Sequence, residues 1–205
     1  ERRAIFARNE LGKSLMQLEV LRLILQKSGG GKGLIVCPLG VRQEFTRDAK
    51  LIDQSITFVQ TDLAVRQQSL LQDDQQLYMT NYESVREGKI DPRGFTVVSL
   101  DEAAILRGFG GTATFRKLMQ MYEGNAAYRF VATATPSPNE LLELAAYAGF
   151  LDIMEIAQVK TRFFKRDSTK ADHLTLRPGK EREFWLWLSS WALFLQRPSD
   201  LGPEY

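Results

Sequence analysis

Six short apolar runs, each continuous rather than alternating, limit what this chain can fold into more than any other feature. They lie at residues 4–7, 34–37, 56–59, 77–80, 95–100 and 128–132. Longer segments with helical spacing separate them. Leu15, Leu18, Leu21 and Leu25 recur at that spacing between Ser14 and Gln26, and Ser28-Gly29-Gly30-Gly31 stops the helix. Pro38 ends the second run, and a further helix is expected over 41–49. A strand that is apolar on both faces must be covered on both faces, which a parallel sheet flanked by helices achieves. The expectation is a three-layer α/β domain with a mainly parallel sheet over residues 1–138. A helical extension is expected over 139–205, with an irregular centre around Ser168, Thr169 and Lys170.

Composition supports one buried core. The chain has 205 residues, 44% of them hydrophobic and 25% charged, enough to fold as one domain of ordinary size with or without a small appendage. Its net charge of +2 excludes a polybasic or acidic tail protein. That charge neither requires nor excludes nucleic acid, because a local basic stripe can hide in a neutral total. The single cysteine, Cys37, excludes a disulfide-stapled secreted fold, and the single histidine, His173, removes most zinc sites. Cys37 lies in an apolar run and reads as an inert core residue, while His173 is assigned no role. No apolar run approaches the roughly 20 residues that span a bilayer. No membrane partner and a cytoplasmic location are therefore expected. The chain begins at Glu1 without methionine, and reads as a piece of a longer polypeptide.

The stretch Ala7-Arg8-Asn9-Glu10-Leu11-Gly12-Lys13-Ser14 follows the first apolar run and opens the first helix, the setting a phosphate-binding loop requires. Backbone N–H groups and the helix N-terminus there make an anion cradle. Lys13 would sit on the β and γ phosphates, and the Ser14 hydroxyl would reach Mg²⁺. The alternative is a chance Gly-Lys-Ser triplet before a helix. Glu10 sets a carboxylate in the loop centre, which would repel triphosphate unless it points to solvent, and a non-glycine residue there restricts left-handed backbone.

Val97-Val98-Ser99-Leu100 ends in Asp101 and Glu102. Carboxylates at a strand's C-terminal end lie where open α/β sheets bind ligands. Asp101 would hold the Mg²⁺ shell, and Glu102 would orient and deprotonate an attacking water. The alternative for Asp101 is a cap on a helix starting near Ala103.

The order of phosphate loop, acidic pair and Val131-Ala132-Thr133-Ala134-Thr135-Pro136 resembles the first RecA-like domain of superfamily 2 helicases and DNA translocases, including the Snf2-like branch. Ala7, Gly12, Lys13 and Ser14 match that family's motif I, A-x-x-G-x-G-K-[ST], with Leu11 inside it and Glu10 where glycine is usual. Residues 34–38 look like motif Ia and residues 78–83 like motif Ib. Asp101-Glu102-Ala103-Ala104 is similar to the DExx box but lacks the last Asp or His of the DEAD and DEAH groups. Thr133, Ala134 and Thr135 look like motif III, which in the family couples hydrolysis to strand movement. A narrower likeness to DEAD/DEAH-type helicases of phages and mobile elements rests on the run from Thr133 to Asn139, on Glu143-Leu144 and Gly149-Phe150-Leu151. The later pieces Phe184-Trp185-Leu186-Trp187, Ser190-Trp191-Ala192 and the run from Arg197 to Gly202 extend it. The resemblance implies ATP and Mg²⁺ as cofactors, and DNA as partner with RNA not excluded. It also implies a second RecA-like domain in the same polypeptide, and little turnover by these residues alone.

By the same resemblance, Pro38, Gly40, Thr80, Asn81 and Tyr82 are candidate contacts to a nucleic-acid strand; the alternative for each is an ordinary turn or helix cap. Residues 160–166 interleave Lys160, Arg162, Lys165 and Arg166 with Phe163 and Phe164. They could track a backbone and stack bases, or form a solvated face anchored by the two rings. Phe184, Trp187, Leu188, Trp191 and Leu195 fall on one helical stripe, which reads as a buried packing helix up to Leu195.

Overall fold

The fold is seen in a computed structural model that describes residues 1–70, 75–107, 113–122, 128–137, 140–166 and 174–202. His173, Asn139 and the expected irregular centre at 168–170 lie outside the described residues.

In chain order the elements are β1 (Arg2–Ala7), α1 (Lys13–Lys27), β2 (Gly31–Cys37), α2 (Arg42–Leu51), β3 (Ile56–Phe58), α3 (Asp62–Ser69), β4 (Gln75–Asn81) and α4 (Tyr82–Arg86). After them come β5 (Val97–Asp101), α5 (Ala113–Tyr122), β6 (Tyr128–Thr133), α6 (Leu144–Phe150), α7 (Ile156–Phe163), β7 (Phe164–Arg166), β8 (Leu174–Leu176), α8 (Glu181–Ser189) and β9 (Ala192–Leu195). Among the described residues seven strands form one sheet in the order β3-β4-β2-β5-β6-β1-β9, with every pairing parallel. Each of the six apolar runs is a strand of it. β7 and β8 pair antiparallel as a separate two-stranded sheet.

Successive residues of a strand point to opposite faces, and each face of this sheet has its own apolar layer. On one face Ile35, Cys37, Leu77, Met79, Val97 and Phe130 pack against Leu18, Leu21 and Leu25 of α1 and Phe45 and Ala49 of α2. On the other, Phe6, Val36, Tyr78, Val98, Leu100 and Val131 belong to a larger cluster with Val85, Leu118, Tyr147, Val159 and Phe184. Continuous apolar runs are thus what a sheet covered on both sides requires. Gly31 opens β2 at φ +115°, where an added Cβ would lie 2.3 Å from Thr96 Oγ1; only glycine lets β2 leave α1 at that angle.

The C-terminal part departs from an all-helical extension at the β7–β8 pair and again at the aromatic stripe. Helices α6, α7 and α8 are present, but the aromatic stripe is not one helix to Leu195. α8 ends at Ser189, and Ala192–Leu195 is a strand beside β1. Arg3 Nη1 donates to the Ser190 carbonyl at 2.8 Å and Ala4 N to the Trp191 carbonyl at 2.9 Å, so β1 captures the chain at the end of the helix. Trp191 and Leu195 are buried as expected, but from the turn after α8 and from β9 rather than from one helix. No helix among the described residues is long and apolar enough to cross a membrane.

Candidate functional site

β1, β6 and β5 lie side by side, with Phe6 opposite Thr133 and Asp101 opposite Ala132. The C-terminal ends of these strands therefore present the phosphate-loop candidate, the threonine and the acidic pair together. A cavity of about 620 Å³ opens there, lined by Gly12, Lys13, Ser14, Pro38, Glu44, Asp48, Asp101 and Glu102 among others.

The loop leaves β1 at the fully buried Ala7 and enters α1 at Lys13. Gly12 caps the helix at φ 71°, ψ 34°, with no side chain bonded to the helix end. Glu10 takes φ 70°, so the loop centre is left-handed even without glycine there. That backbone costs an ordinary residue about 1–2 kcal/mol. Glu10 is exposed and lines the cavity. Lys13 Nζ lies 3.6 Å from Glu102 Oε2, bridging the loop to the acidic pair.

The Ser14 hydroxyl is nearly buried, and its partners come from α2: it contacts Glu44 Oε1 at 3.0 Å and bonds Asp48 Oδ2. Neither carboxylate is foreseen from the sequence. The spacing of Glu44 and Asp48 puts both on one face of α2, but only the packing of α2 on α1 brings that face to Ser14. Among the cavity-lining residues five carboxylates (Glu10, Glu44, Asp48, Asp101, Glu102) face two cations, Lys13 and Arg47.

Asp101 is 4% exposed. Burial raises its pKa above the usual aspartate value; Lys13 and a hydrogen bond from Gln17 act against that, and the Glu102 charge adds to it. Gln17 Nε2 donates to Asp101 Oδ1 at 2.8 Å, and Ser99 Oγ donates to Gln17 Oε1 at 2.6 Å. Gln17 also escapes the sequence reading. Its signal is a polar residue four positions before the core Leu21, on the buried side of α1. Glu102 sits at φ 49°, a rare conformation for a non-glycine residue that turns the chain sharply off the strand. Thr133 Oγ1 donates to Glu102 Oε1 at 3.3 Å and accepts from Thr135 N at 3.2 Å. Thr133 is buried, Ala134 is half-buried and Thr135 is exposed.

The remaining candidates scatter. Pro38 lines the cavity, and Gly40 sits in the exposed turn that follows. Thr80 is fully buried, and Asn81 caps α4 by accepting from Ser84 N at 2.8 Å. Tyr82 donates its hydroxyl to the Asp101 carbonyl at 2.7 Å, fastening β4's end to the acidic strand. Phe163 and Phe164 are buried, which makes them anchors of the basic run, and Arg162 pairs with Glu183 at 2.7 Å. The Cys37 thiol is pushed up to about 12, chiefly by burial, and stays protonated.

A hard-oxygen set, the Ser14 hydroxyl and the Asp101 carboxylate, beside a lysine and a helix N-terminus suits a small divalent cation carried with phosphates. No protein-family model matches the chain, and no curated protein does. Solved structures do. The SWI2/SNF2 ATPase core of Sulfolobus solfataricus, determined in complex with dsDNA, is similar at TM-score 0.69 and 18% identity, over 94% of this chain and 40% of that one. The Hef helicase domain of Pyrococcus furiosus is similar at TM-score 0.54 and 17% identity, over 74% and 33%. The UvsW helicase of bacteriophage T4 is similar at TM-score 0.51 and 18% identity, over 73% and 52%. The chain spans about 40% of the length of the SWI2/SNF2 core it matches. These likenesses show the fold alone: a parallel sheet covered by helices, of the RecA-like kind seen in those helicase and ATPase structures.

Proposed function

We propose that the chain is the first motor domain of a superfamily 2 protein, an ATP-dependent DNA helicase or translocase that works with a second RecA-like domain in the same polypeptide. One observation carries this reading: Lys13, Ser14, Asp101 and Glu102 meet at one cavity at the sheet's C-terminal edge, with Thr133 bonded to Glu102. Residues 1–138 would carry the ATP-binding motifs, and 139–205, which add β9 to the same sheet and share its core, would lead toward the second domain. The narrower likeness to phage and mobile-element helicases rests on the sequence pieces from Thr133 to Gly202 alone.

In this reading the backbone from Ala7 through Leu11 and Gly12 to the first turn of α1 cradles the phosphates of ATP. The Lys13 ammonium holds the β and γ phosphates, and Ser14 with Asp101 holds Mg²⁺. When bound, Mg²⁺ neutralises charge on the phosphates during transfer. Glu102 orients a water toward the γ-phosphorus and takes its proton as the new P–O bond forms and the bond to the β-phosphate oxygen breaks. Lys13 holds Glu102 in place beforehand. Thr133, bonded to Glu102 and followed by Ala134 and the exposed Thr135, links the state of that carboxylate to the surface where the second domain would pack. Pro38, Gly40 and Tyr82 lie at the ends of β2 and β4 and would border a DNA or RNA strand, with the buried Thr80 and Asn81 setting their positions.

Lys13→Ala in the full-length protein should lower DNA-stimulated ATP hydrolysis about 100-fold or more while the chain keeps its fold. Unchanged hydrolysis would sink the reading. A second reading is a helicase-fold module that binds nucleic acid or a partner with weak or absent ATPase activity. Glu10 in the loop and the engagement of Ser14 by Glu44 and Asp48 favour it. Titrating this chain with nucleotide and Mg²⁺ separates the two, since no measurable binding supports the second.

A further inference from the structure

We propose that Gln17 is a positioning residue for the Asp101 carboxylate, its amide clamped between Ser99 and Asp101 so that the acidic strand is held in fixed register against the phosphate-loop helix. The proposal rests on the Mg²⁺-nucleotide reading of the cavity.

The arrangement follows from two periodicities. Gln17 lies four residues after Lys13 and three after Ser14, so one face of α1 presents all three. Ser99 and Asp101 are two apart on β5 and share the strand face that α1 covers, separated by roughly 7 Å of strand. A glutamine amide, with an acceptor at one end and a donor at the other, spans that gap: Ser99 Oγ to Oε1 is 2.6 Å and Nε2 to Asp101 Oδ1 is 2.8 Å. The ionised carboxylate only accepts, which turns the NH₂ end to Asp101 and leaves the amide oxygen for the Ser99 hydroxyl.

Packing alone does not call for an amide here. Gln17 is fully buried beside Leu18 and Leu21, and an unbranched apolar side chain would fill the same space. The amide instead pins Asp101 at Oδ1, which stops the carboxylate from rotating and leaves Oδ2 to act in one direction. Hydrogen-bond partners that orient a metal-holding carboxylate typically account for 10–100-fold in metal affinity.

The test is the Mg²⁺ dependence of binding of a fluorescent ADP analogue to the 205-residue chain, compared with its affinity in EDTA. Gln17→Met should raise the Mg²⁺ concentration at half-saturation about tenfold and leave the EDTA affinity within about twofold. Ser99→Ala, which frees the far end of the amide, should give a smaller shift in the same direction. The double variant should not exceed Gln17→Met, because both act through one bond chain. A folded Gln17→Met with unchanged Mg²⁺ half-saturation overturns the proposal. Should Gln17→Met fail to fold, Ser99→Ala decides, and an unchanged value overturns it equally. A wild-type chain whose nucleotide binding ignores Mg²⁺ overturns the site reading itself, and the role of Gln17 falls with it.

Discussion

The two walls of the cavity are built from different materials. The phosphate-loop wall is backbone: Glu10 and Gly12 sit at φ 70° and 71°, and no side chain caps α1. The acidic wall is side chain: Asp101 is almost fully buried, receives the Gln17 amide, and has its own carbonyl held by Tyr82. The loop's constraint is therefore torsional and is decided by which residue occupies a left-handed position. The acid's constraint is electrostatic, set by desolvation against hydrogen bonds. Two strand ends separated only by β6 thus respond to different substitutions.

The largest contrast is expected at the acidic wall. Asp101→Asn keeps the shape and an amide–amide bond to Gln17, yet should lower ATP hydrolysis by the full-length protein about 100-fold. The same variant should not lose stability. Asp101's folded-state pKa is raised from the ordinary 3.8, so the folded state holds that proton more tightly than the unfolded chain. Its contribution to stability is present at acid pH and is lost as pH rises from that value through the raised one. Denaturant unfolding across that range should show the wild type losing stability relative to Asp101→Asn as pH rises, the carboxylates common to both cancelling in the difference. An equal slope in both would remove the electrostatic half of the contrast.

Torsion should answer next. Gly12→Ala meets only Leu15 Cβ at 4.0 Å, so its expected loss of about 1 kcal/mol is backbone strain alone. Glu10→Gly should do the opposite, gaining up to about 1 kcal/mol in denaturant unfolding and tightening nucleotide binding by removing a carboxylate from the cradle. A loss of nucleotide affinity in Glu10→Gly would show that this carboxylate serves the ligand. The smallest effect concerns Cys37 on the α1-covered face of the sheet: its thiol, raised to about 12, should react with a thiol reagent only as fast as the chain opens.

The walls were unequally legible in the sequence. The six strands and the first helix can be read from apolar periodicity because the covered sheet leaves no polar face to confuse it. Gly12, Lys13 and Ser14 are contiguous, and so are Asp101 and Glu102, so a local pattern is enough to mark them as candidates. Gln17, Glu44 and Asp48 act through contacts 30 to 84 residues apart in sequence, and no local pattern encodes those. β9 was hidden for a different reason. Phe184, Leu188, Trp191 and Leu195 keep helical spacing across Ser189 and Ser190, and a four-residue apolar strand does not differ in period from the end of an apolar helix. The arginine of β1 that binds Ser190 settles it, and that contact is tertiary.

The seating of β1 between β6 and β9 has a consequence for how the molecule is made. The strand that leads into the phosphate loop emerges from the ribosome before either of its partners: one edge waits for residues 128–133 and the other for residues 192–195. Until both arrive, Ala4–Ala7 is an apolar strand with open edges, and closing it requires the longest-range contacts in the sheet. The cradle is thus assembled among the last parts of the domain, so a truncated or slowly finished chain exposes a sticky strand before it offers a site.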